Sequence, residues 1–183
     1  MMIKQKAFNV NGIGYIIRSA SPKDAKYLSK VRVQIDGETQ NMDREPGEAF
    51  LDTKEFINLI ERDTENNHYL FLVALVNDTL VGFSRCEGNP LKRLAHKVEF
   101  GVCVLKQYWG LRIGTNLLEE SIAWAESNEI KKMTLNVLET NEKAIKLYQK
   151  YGFEIEGILK KDKLLSDGRF YNTIVMGRLG GFN

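Results

Sequence analysis

Between Val102 and Thr115 the chain reads Val-Cys-Val-Leu-Lys-Gln-Tyr-Trp-Gly-Leu-Arg-Ile-Gly-Thr. A β-rich segment enters a turn with glycines at 110 and 114, and a helical pattern starts there. The first turn of a helix exposes N–H groups without acceptors and the positive end of its dipole, so it suits a phosphate. Glycine removes the side chain that would hold a phosphate away from those amides. Taken alone, the segment also serves as an ordinary turn. Cys86 and Cys103 match no metal knuckle or redox pair, and His68 and His96 are too few for a histidine-rich site, so no metal is expected. With no histidine placed to activate it, Cys103 reads as a small buried thiol rather than a nucleophile. The stretch from Asp36 to Glu48 carries Asp36, Glu38, Asp43, Glu45 and Glu48 against Arg44 alone, a balance of −4. It reads as a functional loop or as a merely solvated one.

A second string follows the glycine turn. Asn141, Ala144, Leu147, Tyr148, Gly152 and Phe153 fit the pattern Asn-x-x-Ala-x-x-Leu-Tyr-x-x-x-Gly-Phe in full. Together the two strings resemble the GNAT superfamily of N-acetyltransferases. The family's first pattern, Gln/Arg-x-x-Gly-x-Gly/Ala, is met in part. Trp109 stands for Gln/Arg, Arg112 replaces the central glycine, and Gly114 keeps the last. The likeness in element order spans residues 15 to about 179.

The resemblance implies acetyl-CoA as cosubstrate, with its pantetheine arm running beside the backbone of Val102, Cys103 and Val104 like an added strand. It implies that the amides of Gly110, Leu111, Arg112, Ile113, Gly114 and Thr115 cradle the pyrophosphate and that Asn141 hydrogen-bonds the cofactor. Asn at a helix N-cap is also favoured without any ligand. Tyr148 is implied as the general acid. It lies two helical turns from Asn141, on the same face, and the alternative is an aromatic anchor for the helix. A lysine-like amine has a pKa near 10.4, so only about one molecule in two thousand is neutral at pH 7 and a base is needed. Glu99, in Lys97-Val98-Glu99-Phe100-Gly101, is the candidate, because related acetyltransferases often carry Glu there. The alternative is an ion pair with a lysine on the exposed sheet face.

In such folds the connection between the first two helices borders the acceptor. The acidic loop then becomes a negative lip for protonated amines, with Glu38, Asp43 and Glu45 as candidate contacts. The expected reaction is acetyl transfer to a primary amine, carried by a small molecule or a peptide. Residues 156–161 and 168–172 look like the closing hairpin of spermidine, phosphinothricin and ribosomal-protein N-terminal acetyltransferases, which act on different amines. Two other readings are a non-catalytic acyl-CoA sensor and an acyltransferase that uses a longer acyl group.

The elements that must position these residues follow from periodicity. Strands are expected at 3–10 and 13–19 around Asn11-Gly12, and at 69–76 and 80–87 around a tight turn. Further strands fall at 97–105, 133–138, 153–159 and 170–179. Helices are expected from Ser21-Pro22 to about 35, from Thr53 onward, at 112–127 and at 141–151. The fold class is α/β (α+β in some schemes). It is a mixed, mostly antiparallel sheet of about seven strands with a central splay, and helices on both faces. A domain at 15–181 is expected, with residues 1–14 as its N-terminal strand-and-hairpin extension.

Composition sets the outer limits. The 183 residues are 43% hydrophobic and 27% charged, with a net charge of +2, so nothing points to nucleic acid or an anionic membrane. The apolar run at 69–76 has the length of a strand, far below the roughly 20 residues of a membrane-spanning helix. The opening Met-Met-Ile-Lys-Gln-Lys leads into no apolar signal segment, and a cytoplasmic protein is expected. A homodimer is the assembly allowed for.

Overall fold

The computed structural model describes residues 2–180; residue 181, the last of the expected domain, lies outside them. The strands are β1 (Lys6–Val10), β2 (Ile13–Ser19), β3 (Leu70–Val76), β4 (Thr79–Gly88), β5 (Lys97–Val104), β6 (Lys132–Leu138), β7 (Glu154–Leu164) and β8 (Phe170–Leu179). The helices are α1 (Ala25–Glu38), α2 (Thr53–Glu65), α3 (Ile113–Ser127) and α4 (Glu142–Lys150). All eight strands join one sheet in the order β1-β2-β3-β4-β5-β6-β8-β7. The N-terminal hairpin continues this sheet through the pairing of β2 with β3.

Local chemistry explains the turns. Asn11 and Gly12, like Asn77 and Asp78, have positive φ at both central positions, the backbone that matches strand twist in two-residue hairpins. Helix α1 runs on to Glu38, past the expected end near residue 35, so Asp36 and Glu38 are helical. Gly37 sits inside that last turn, where an added Cβ would come within 3.2 Å of Pro46. Asp52 caps α2 by accepting from the Glu55 amide, and the Glu55 carboxylate accepts from the Asp52 amide at 2.7 Å.

Side-chain alternation assigns the helices to faces. Phe71 meets both Phe56 of α2 and Phe83, and Arg85 reaches Asp63 of α2, so the odd residues of β4 face α1 and α2. Ser84 meets Ser121 of α3 on the other face, which α4 shares through Tyr151 and Glu119. The core fills both interfaces. Leu28, Ile35, Phe56 and Ile60 lie on the first side, with Ile17, Ile113, Leu117, Leu118 and Phe153 on the second, all fully buried.

One feature of the sheet decides where a ligand can enter. β5 and β6 form its parallel pair, joined by α3, and their pairing stops after Lys97↔Lys132, Val98↔Met133 and Glu99↔Thr134. Beyond Glu99 the strands part, while β5 stays paired to β4 as far as Val104 and β6 to β8 as far as Leu138. The expected splay therefore opens between residues 100–104 and 135–138, leaving backbone groups on both edges without a strand partner.

Candidate active site

A cleft of about 660 Å³ fills this splay. Its walls are the outer half of β5, the turn from Tyr108 to Thr115, the C-terminal half of β6, part of α4 and the start of the α1–α2 loop. Of the expected site residues, Glu99, Val102, Cys103, Val104, Gly110, Arg112, Ile113, Gly114, Thr115, Asn141, Tyr148 and Asp43 line it; Leu111, Glu38 and Glu45 do not.

The turn is held from behind. Tyr15 of β2, buried at 3% exposure, donates its hydroxyl to the Leu111 carbonyl at 3.1 Å and accepts from Asn116 Nδ2 at 2.6 Å. That bond turns Leu111 away from the cleft and fixes the loop against the sheet. Gly110 has φ +83°, so it is needed for its backbone, and an added Cβ there would meet nothing within 4 Å. Arg112, the departure from the glycine pattern, takes a left-handed φ of 58°. The position demands the conformation that glycine adopts freely and that costs an ordinary residue about 1–2 kcal/mol. Helix α3 then starts with no side-chain cap, and Asn116 is the first residue whose amide finds an acceptor, on the Arg112 carbonyl at 2.8 Å. The amides of Ile113, Gly114 and Thr115 thus stand open at a helix N-terminus on the cleft wall, a fit for a phosphate group.

Along β5 the walls carry both apolar and peptide groups, as a pantetheine arm requires. Val104 has its carbonyl taken by Trp109 Nε1 at 2.8 Å, so this carbonyl is already engaged. Cys103 lies with its sulfur 3.5 Å from Met42 Sδ, and burial pushes its pKa up to about 12. A thiol in that state is a poor nucleophile at neutral pH, against an acetyl-cysteine route.

Asn141 caps α4, its Oδ1 accepting from the Ala144 amide at 3.3 Å, which leaves its Nδ2 for a partner in the cleft. Two turns on, the Tyr148 ring is packed edge-on against Phe100 and tilted against Phe153, with centroids 6.5 and 5.8 Å away. Its hydroxyl has no hydrogen-bond partner among the described residues. Burial raises the Tyr148 pKa to about 12, so the phenol keeps its proton at any physiological pH. Glu99 is exposed and accepts from Asn136 Nδ2 at 3.4 Å. It stands opposite Glu87 on the α1–α2 face of the sheet, whereas Phe100 and Tyr148 lie on the α3–α4 face. The acid and base candidates therefore approach the gap from opposite sides of the sheet.

Within the acidic stretch Asp36 and Asp43 are held in ion pairs, and Glu38 and Glu48 accept from backbone amides. Asp36 binds Arg44 through two bonds of 3.1 Å. Glu38 accepts from the Lys106 amide at 2.7 Å and from Gln34, tying the end of α1 to the turn after β5. Asp43 pairs with Lys163 of β7, and Glu48 folds back onto the Glu45 amide at 2.8 Å. Tyr108, Asn136 and Lys143 also line the cleft and were not singled out from sequence, as do Trp109 and Leu147, which entered only as positions of the two motifs. Lys143 and Leu147 lie well around α4 from the face that Asn141 and Tyr148 share, so helical spacing alone did not mark them. Among the described residues no cluster of His, Cys, Asp and Glu could hold a metal, and no helix is long and apolar enough to cross a membrane.

Comparison with known proteins agrees with this geometry. The model of the acetyltransferase (GNAT) family matches residues 38–153. The chain is 32% identical over 109 residues to the L-amino acid N-acetyltransferase AaaT of Escherichia coli, covering 59% of this chain and 67% of that one. Among solved structures, a GNAT-family acetyltransferase from Streptococcus pneumoniae superposes with a TM-score of 0.87 at 29% identity, over 91% of this chain and 99% of its own. YncA of Salmonella typhimurium, solved with acetyl-CoA, shares the fold at a TM-score of 0.80 and 19% identity, over 91% and 94%. An unpaired splay, an open helix start and a full second motif meet in one cleft, and the family model spans them: the chain belongs to the GNAT acetyltransferase family and is an acetyl-CoA-dependent N-acetyltransferase.

Proposed function

We propose that the protein acetylates a primary amine by direct attack, with Glu99 as general base and Tyr148 as general acid. The observation that carries this reading is the unbonded, protonated Tyr148 hydroxyl facing the same cleft as Glu99. The backbone of residues 102–104 and the amides of residues 113–115 would hold acetyl-CoA, with Gly110 shaping the turn and Arg112 and Lys143 adding positive charge. Bound there, acetyl-CoA supplies an activated acetyl thioester. Glu99 would receive the proton that the incoming ammonium must lose, directly or through water. As the nitrogen–carbon bond forms and the carbon–sulfur bond breaks, Tyr148 would give its proton to the departing sulfur. The Phe100 and Phe153 rings hold the phenol in place for that transfer.

Glu99→Gln tests this reading, since it keeps the shape and the Asn136 contact but removes the base. Turnover of acetyl-CoA with a primary amine should fall by about 10²- to 10⁴-fold, with acetyl-CoA affinity by calorimetry unchanged. Unchanged turnover would remove Glu99 from the chemistry.

A further inference from the structure

On the α1–α2 face a second hollow of about 340 Å³ adjoins the cleft and shares Arg44, Glu99, Phe100, Gly101 and Cys103 with it. Its walls are apolar, built from Leu51, Phe56, Leu59, Phe71 and Phe83, yet three arginines reach it: Arg32, Arg44 and Arg85. Two of them are satisfied. Arg85 binds Asp63 at 2.5 Å and Glu87 at 2.6 Å. Arg44 is bidentate on Asp36. Arg32 differs. Its Nη1 donates to the Ala49 carbonyl at 2.6 Å, and no carboxylate pairs with it among the described residues. A half-buried guanidinium has five N–H donors in a planar fork that matches a carboxylate, and an unpaired charge away from water is costly. Burial, then the nearby Arg44 cation, push the Arg32 pKa down, as expected for a cation short of a counter-ion.

We infer that this hollow is the acceptor site and that the acceptor carries a carboxylate as well as its amine, with an apolar body between the aromatic walls: an α-amino acid with an apolar side chain. Glu99 at one end faces the ammonium group, and Arg32 receives the carboxylate. This rests on the acetyl-transfer reading above. It differs from the expectation of a negative lip for protonated amines. Asp36 pairs with Arg44 and Asp43 with Lys163, so ion pairs offset part of the negative charge that would draw a polycation, while Glu38 meets the Lys106 backbone amide.

The test compares acceptors that differ in one group. L-Phenylalanine and L-methionine, their amides, phenethylamine and spermidine are each offered with acetyl-CoA, and CoA release is followed. The expected result is a kcat/KM for the free amino acids about 10- to 100-fold above that for their amides, the worth of a hydrogen-bonded charge pair. Arg32→Gln should raise KM for the amino acids by a similar factor, leave the amides unaffected and leave acetyl-CoA affinity unchanged, because Arg32 does not line the cofactor cleft. Arg32→Lys, which keeps the charge without the fork, should fall in between. Turnover of amides, phenethylamine or spermidine at or above the level of the acids overturns the inference and leaves acetyl transfer standing. So does an Arg32→Gln variant with unchanged discrimination. No turnover of any acceptor by protein that still binds acetyl-CoA removes both.

Discussion

On the β6 side of β5 the chain leaves groups open, with strand edges unpaired beyond Glu99, helix amides without acceptors and a phenol without a partner. On the α2 side almost every charge is already matched: Arg62 and Arg85 share Asp63, Arg85 also holds Glu87, and Arg44 holds Asp36. The first region is built from backbone and defined by what it lacks. The second is a polar network in which, among the described residues, Arg32 and Glu99 stand without a counter-ion. A ligand-binding surface is therefore recognised in each by the same test, unmet hydrogen-bonding capacity, applied to peptide groups in one and to side chains in the other.

The contrast can be broken most forcefully at the network. Asp63 is 2% exposed and accepts from two arginines, so Asp63→Ala strands the mostly buried Arg85 without its main counter-ion. Stability should drop by about 3 kcal/mol, the low end for a broken buried pair because Glu87 still holds one guanidinium nitrogen. Urea unfolding measures this, and a loss below about 1 kcal/mol would show that the network is a surface decoration. The next effect belongs to the open region. At Gly114 an added Cβ would meet only Val104, at 3.8 Å, an ordinary contact, so Gly114→Val should fold normally. It would crowd the phosphate-facing amides, and acetyl-CoA affinity by calorimetry should fall about tenfold to a hundredfold, the cost of overfilling a fitted contact. Unchanged affinity would place the phosphates elsewhere.

These two regions also differ in how plainly the sequence announced them. The cofactor side depends on contiguous strings, residues 102–115 and 141–153, in which strand, glycine turn, helix start and heptad spacing carry the physics directly. The strand edges, helix faces and splay followed from that order. The acceptor side is assembled from α1, α2, β3, β4 and the loop before α2, so no local pattern marks it. Arg32 carries no mark in the sequence beyond its place on a helix. The acidic loop, conversely, looked like a charged lip because a sequence counts carboxylates and does not show that Lys163, 120 residues away, pairs with Asp43. Trp109 and Arg112 were legible only as departures from a pattern. The structure gives each a task, one on the Val104 carbonyl and the other in a left-handed backbone position.

Arg112→Gly sharpens that last point with a smaller effect. Relief of left-handed strain, worth about 1–2 kcal/mol, is offset by about 0.5–1 kcal/mol of extra chain entropy. Stability should rise by about 1 kcal/mol or less, while acetyl-CoA affinity falls a few-fold through loss of a cation on the cleft wall. A clear loss of stability would mean that the Arg112–Glu119 contact at 3.4 Å matters more than the backbone. The smallest effect concerns pH. Burial raises Cys86 and Cys103 from an ordinary 9 to about 12 and Tyr148 from 10 to about 12, so the folded protein holds these protons more tightly than the unfolded chain. Their contribution is fully present below pH 9 and is lost as pH rises through 12. Both thiols should resist iodoacetamide at pH 8 until urea unfolds the chain, and fast labelling of native Cys103 would contradict its assignment as a buried, unreactive group.

The most direct measurement is a single turnover by the Tyr148→Phe variant at saturating acetyl-CoA and acceptor. The substitution keeps the ring between Phe100 and Phe153 and deletes only the proton. Acetyl transfer should slow by about 10²- to 10⁴-fold, with the dissociation constant for acetyl-CoA within a factor of two or so of wild type. Transfer at the wild-type rate would contradict the account, leaving Tyr148 as an aromatic wedge and the source of the leaving-group proton elsewhere.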